Sequence, residues 1–139
     1  MTGLTSQEGA WYTSSLYGQE SMTFLQEFDQ KPEEATKSFG SGSLDEADLA
    51  LKALHFYTKG QPVADQRQRI AMSEFASDLI FNAEGILAVH LMARQSLAPV
   101  YFYKFNYRGN WTFAHEFEED VKHDYNGVAH LDDISFFMR

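Results

Sequence analysis

Apolar positions recur along this chain with two periods, one helical and one extended. Leu44, Ala47, Leu51, Leu54 and Tyr57 are spaced by three and four, which gathers them on one face of a helix. Ser43 precedes the run and Glu46 follows three positions later. That pair predicts a capping box, in which each side chain satisfies a backbone N–H of the first turn. Gly60 ends the helix, and Pro62, lacking an N–H, prevents its resumption. A second, longer helix is predicted to start near Val63–Asp65. Its apolar stripe is Ile70, Phe75, Leu79, Ile86, Leu87, Leu91 and Met92, with Gly85 as a point of bending and Leu97-Ala98-Pro99 as its close. The period then drops to two. Val100–Tyr107 reads as a strand with Tyr101, Tyr103, Phe105 and Tyr107 on one face and Val100, Phe102, Lys104 and Asn106 on the other.

The intervening segments follow from their turn chemistry. Met1–Leu4 reads as the end of a strand, and Thr5-Ser6-Gln7-Glu8-Gly9 as a polar loop. Trp11–Phe28 mixes aromatic and small polar residues and suits helix or loop. Lys31–Ser43, with Pro32, Gly40 and Gly42, is linker-like. Arg108-Gly109-Asn110 and Asn126-Gly127 read as turns, and His115–Asp124 as an acidic surface segment. Strand end, helix, helix, strand and a histidine loop make an α/β pattern. One strand beside a strand end cannot satisfy its own backbone polar groups, so the sheet is expected to be incomplete, its other strands supplied from elsewhere.

Composition narrows the function. The 139 residues suffice for one domain, and 44% apolar with 15% aromatic residues supports a sizeable core. A net charge of −9 argues against nucleic-acid binding through a basic patch, which needs clustered Lys and Arg. The longest charge-free apolar run, Gly85–Ala93, is too short to span a bilayer, so no transmembrane segment is expected. The absence of cysteine excludes disulfides, thiolate metal sites and a thiol nucleophile in this chain. The first residues lack a basic and then apolar signal-peptide pattern. The expectation is either a cytosolic protein or a native N-terminus lying further upstream, with trimming at Arg139 as well.

Three stretches resemble the type-B carboxylesterase and cholinesterase-like family. Gly3-Leu4-Thr5-Ser6-Gln7-Glu8-Gly9-Ala10 resembles the strand-to-loop segment whose glutamate is a catalytic acid. Pro99-Val100-Tyr101-Phe102-Tyr103-Lys104-Phe105 resembles the family's late strand. Gly127-Val128-Ala129-His130-Leu131-Asp132-Asp133 resembles the loop holding its catalytic histidine. The resemblance implies that residues 1–139 are the C-terminal part of a single α/β-hydrolase domain, with an incomplete sheet and packed helices. It further implies hydrolysis of a small hydrophobic carboxylic ester through a Ser-Glu-His triad, with Glu8 and His130 catalytic and no cofactor. The narrower likeness is to insect-type esterases, including juvenile-hormone-esterase-like ones. The partner would be the remainder of the esterase domain, and a secreted location is suspected from the family.

The chemistry needs these residue types. A serine hydroxyl is too weakly acidic to attack a carbonyl unaided, so an imidazole takes its proton while a carboxylate holds the other ring nitrogen. No G-x-S-x-G elbow occurs in the chain, and the nearest imitation, Gly40-Ser41-Gly42-Ser43, lacks the second glycine at the required spacing. The segment alone is therefore expected to be inactive. It is also expected to fold poorly or self-associate by itself. His55, His90, His115 and His123 show no metal-ligand spacing and are read as ordinary surface or helix residues. Adjacent Asp132 and Asp133 cannot converge on one point and are expected to order a loop or start a helix. Asn110-Trp111-Thr112 is a sequon, making Asn110 a glycosylation site if the protein is secreted. Two alternatives stay open. One is a non-catalytic, neuroligin-like adhesion or ligand-binding module. The other is a free-standing acidic domain in which Glu8 and His130 lie far apart.

Overall fold

A computed structural model describes residues 1–17, 21–32, 44–117 and 127–137. In chain order these form β1 (Thr2–Thr5), α1 (Ala10–Leu16), α2 (Met22–Gln30) and α3 (Leu44–Thr58). A 3-10 turn (Gln66–Gln68) then leads into α4 (Arg69–Ser77), a π-turn (Asp78–Asn82) and α5 (Ala83–Gln95) without a break. β2 (Phe102–Phe105), a second 3-10 turn (Phe113–Phe117) and a single helical turn α6 (Ile134–Phe137) complete the order. The architecture is helix-rich with one small sheet. Most of the expected linker, the capping residue Ser43, the Gly40–Ser43 stretch, His123 and most of the acidic segment His115–Asp124 lie outside the described residues.

β1 and β2 pair in parallel, Thr2 opposite Phe102 through Thr5 opposite Phe105. Parallel neighbours require a long crossover, and here every helix from α1 to α5 lies within it. Gly3 permits the close pairing, because a Cβ there would stand 2.4 Å from ring carbons of Tyr103. On the opposite face of β1, the Leu4 side chain packs against Gly85 of α5, 3.3 Å from where a Cβ would sit. Gly85 therefore does not interrupt the helix. Its missing side chain makes room for the strand, and the irregular turn comes earlier, at Asp78–Asn82. β2 is also shorter than the alternating pattern suggested. Only Tyr103 and Phe105 of its aromatic face are half-buried, stacked on Phe137 and Phe136, while Tyr101 and Tyr107 are largely exposed. Among the described residues the two strands pair only with each other.

The main core lies among the helices. Tyr17, Leu25, Phe28, Leu54, Val63, Met72 and Phe75 pack together between the end of α1 and α2, α3 and α4. Leu54 lies at the centre of the expected face of α3, whereas the side chains of Leu44 and Ala47 lie outside the described residues. α3 stops as its turn residues require, with Lys59 and Gly60 in left-handed backbone at φ 55° and 71°. The carboxylate of Asp29 accepts from the amides of Val63 and Ala64 at 2.6 and 2.9 Å, holding the next segment against α2. Asp65 caps the following turn through Arg67 N, and its hydrogen bonds to Arg67 hold its carboxyl down at about 2.

The apolar stripe expected of the long helix is covered only in part within this chain. Ile70 points to solvent at 59% exposure, while Phe75 of the same stripe is buried. The distal stripe of Ile86, Leu87, Leu91 and Met92 is also exposed. By length and composition alone, the run Gln66–Gln95 is also long and apolar enough to cross a membrane. Only 17% of its most apolar window is buried, and the run packs on α1, α3 and β1.

Two outcomes follow from this packing. A Cβ at Gly9 would meet Ser77 N at 2.6 Å and Ser73 O at 2.8 Å, backbone atoms of α4 that cannot step aside. Gly9→Ala is expected to lower stability by roughly 1–3 kcal/mol in urea titration. Gly60→Ala, facing open space, should cost only about 1 kcal/mol, from its left-handed backbone alone. The second outcome concerns Tyr57, whose hydrogen bond to Asp78 raises its hydroxyl from 10.0 to about 12. The folded state favours the protonated phenol, so its contribution is complete below pH 10 and lost as pH climbs through 12. The stability gap between wild type and Tyr57→Phe should therefore close over that interval.

Candidate active site

The turn after β1 delivers a carboxylate into a buried position. Its backbone is tied on two sides: Ser6 N donates to Phe105 O at the end of β2 (2.9 Å), and Gln7 N donates to Val128 O in the histidine loop (3.0 Å). Gly9 N donates to Ser77 Oγ at 2.8 Å, anchoring the far side of the turn to α4. Between these ties Glu8 is only 4% exposed. A buried carboxylate is costly unless its oxygens are engaged. Here Oε1 accepts from Thr5 N at 2.6 Å, and Oε2 lies 2.8 Å from His130 Nδ1.

The histidine loop is built around a second buried carboxylate. Asp132 is 4% exposed and accepts from Thr112 Oγ1, from Phe113 N at 2.7 Å and from Ala129 N at 2.8 Å. It thus joins the loop on both sides of His130 to the 3-10 turn that follows Trp111. Ala10, Ala114 and Ala129 pack together beneath, with Trp11 beside them, so only small side chains separate α1 from the loop. Leu131 adopts φ 71°, a left-handed conformation that a leucine takes only when its surroundings impose it. Asp133 accepts from Tyr103 OH at 2.6 Å, which ties the loop to β2 and pushes the phenol up to about 12. The two aspartates order the loop and lead into α6, the role expected of them.

This framework presents His130 with one edge buried and one reachable. The imidazole is 36% accessible and Glu8 only 5%, so the ring forms the outer member of the pair. With Nδ1–H donating to the carboxylate, Nε2 on the opposite edge is the basic nitrogen. Phe81 of the π-turn lies against the ring, centroids 4.6 Å apart and planes tilted by 30°. The arrangement can accept a proton at Nε2 while a buried anion stabilises the cation that results.

Glu8 and His130, 122 positions apart, are thus brought into contact, which removes the reading in which they lie far apart. His55, His90 and His115 are exposed, and no metal-binding group of His, Asp and Glu occurs among the described residues. Asn110 is exposed, but the Thr112 of its sequon is 1% exposed and bonded to Asp132. The sequence pattern did not single out Phe81 or Ser77, and it marked Thr112 only as part of a sequon. Phe81 is not among the residues of the expected apolar stripe, and its direction is set by the wide turn at Asp78–Asn82. No local signal marks Ser77 or the bond of Thr112 to Asp132, since both hydroxyls act through distant partners.

The carboxylesterase family matches residues 1–139 of the chain. Esterase E4 of Myzus persicae is 27% identical over 84 residues, which cover 60% of this chain and 15% of that protein. The chain therefore spans under a fifth of the length of this relative. A match from the first residue to the last, with the acid and histidine loops in order and in contact, establishes that the chain belongs to the carboxylesterase family.

Proposed function

We propose that this chain supplies the acid and the base of a Ser-Glu-His triad in a carboxylic ester hydrolase. The nucleophilic serine and the oxyanion donors would come from polypeptide outside it. The observation that carries this reading is the 2.8 Å contact between Glu8 Oε2 and His130 Nδ1, made by loops that follow two parallel neighbouring strands. Loops at the carboxyl ends of parallel strands are where α/β folds aim reactive groups together. The exposed stripe of α5 and the unpaired strand edges support an α/β-hydrolase domain whose remaining layers cover them.

In this reading Nε2 of His130 removes the proton of the serine hydroxyl as it attacks the ester carbonyl. The imidazolium then returns that proton to the departing alcohol. A water molecule, deprotonated at the same nitrogen, cleaves the acyl-serine. Glu8 stays ionised throughout and fixes the tautomer. The substrate class is a small, hydrophobic carboxylic ester.

In the intact protein, His130→Ala should lower kcat for a short-chain aryl ester by about 10,000-fold or more, with little change in far-UV circular dichroism. Glu8→Gln, which keeps the shape but removes the charge, should lose on the order of 10,000-fold. A fluorophosphonate should label one serine and abolish turnover. Turnover by His130→Ala within about tenfold of wild type would sink the proposal. An intact wild type with neither turnover nor labelling would favour the adhesion or ligand-binding reading instead.

A further inference from the structure

One hydrogen bond locates a ring without orienting it. The contact between Glu8 Oε2 and His130 Nδ1 fixes one nitrogen, yet the imidazole could still swing about that axis and carry Nε2 with it. A second contact must set the plane of the ring. Phe81 makes such a contact, face towards face, at 4.6 Å between centroids and 30° between planes.

The placement of Phe81 is itself well determined. It sits in the π-turn Asp78–Asn82, where one extra residue per turn redirects a side chain that a regular helix would aim elsewhere. The turn is braced by Asp78, which accepts from Asn82 Nδ2 at 2.5 Å and from the hydroxyl of Tyr57. Immediately before it, Ser77 Oγ holds Gly9 N, next to Glu8. One helix therefore positions both the loop carrying the acid and the ring facing the histidine.

The electrostatics favour the same arrangement. The face of a phenyl ring is electron-rich and attracts a cation more than a neutral group. Contact with Phe81 thus stabilises the imidazolium over the imidazole. The charged groups on the surrounding elements are otherwise committed. Glu8 takes Nδ1, Asp132 takes Thr112, Phe113 and Ala129, Asp133 takes Tyr103, and Asp78 takes Tyr57 and Asn82.

We infer that Phe81 is a positioning residue for His130: its ring sets the plane of the imidazole, aims Nε2 and stabilises the protonated form. The inference rests on the triad reading above and deepens it. In the intact protein Phe81→Leu keeps the apolar bulk and removes the aromatic face. The expected result is a kcat roughly 10- to 100-fold lower with KM changed less than about twofold. The acid limb of the kcat/KM profile should move to lower pH. Phe81→Tyr should restore both, and Phe81→Met repeats the comparison if leucine costs the fold. An independent readout is the NMR titration of the His130 Cε1 proton. Its ring-current shift should persist in Phe81→Tyr and vanish in Phe81→Leu, with the midpoint moving in the same direction. If His130→Ala is inactive while Phe81→Leu matches wild type in kcat, pH profile and NMR titration, this inference fails and the triad stands. If wild type itself shows no serine-dependent turnover, the triad reading fails, and the NMR comparison alone decides whether Phe81 orients the ring.

Discussion

The organisation of this chain depends on an anion placed where water is scarce. Glu8 is buried, and its oxygens are engaged by the amide of Thr5 and the imidazole of His130. Removing either partner would leave one oxygen of the buried carboxylate without its hydrogen bond. The fold must therefore bring the end of one strand and a distant loop to within hydrogen-bonding distance. The ties at Ser6, Gln7 and Gly9 exist on both sides of the carboxylate for that purpose.

Asp132 plays the matching part on the histidine side. One residue collects a hydroxyl and two amides from two segments, so the loop is held by its own side-chain chemistry rather than by regular secondary structure. Rigid loops on a scaffold of strands and helices hold Glu8 and His130 in one mutual geometry. The left-handed Leu131, directly after His130, is consistent with a backbone held in a demanding shape by these surroundings.

Much of this was legible in the residues. Periodicity located α3 and the run that becomes α4 and α5, and turn chemistry located the stop at Gly60 and the loop containing Glu8. Family-like stretches pointed to Glu8 and His130, whose contact no periodicity could reveal. What was not legible has physical causes. A stripe of apolar residues says which side of a helix seeks cover, not where the cover comes from. Ile70 and the distal residues of α5 fit the pattern yet lie exposed. A glycine in a helix reads as a breaker, whereas Gly85 serves as a seat for Leu4. A helical count can place Phe81 on an apolar face, but it cannot say that the residue packed on that ring is His130, 49 positions away.

The parallel pairing of β1 with β2 has a kinetic consequence. The partners Thr2 and Phe102 are separated by the whole helical layer, which makes this a contact of high order. Closing so long a loop is entropically unfavourable until local helices have shortened the effective distance between its ends. The helices can gather around Leu54 and Phe75 first, with the strands zipping together afterwards. The contact between Glu8 and His130 depends on that late pairing, so a partly folded molecule, however helical, would not yet hold the two side chains together.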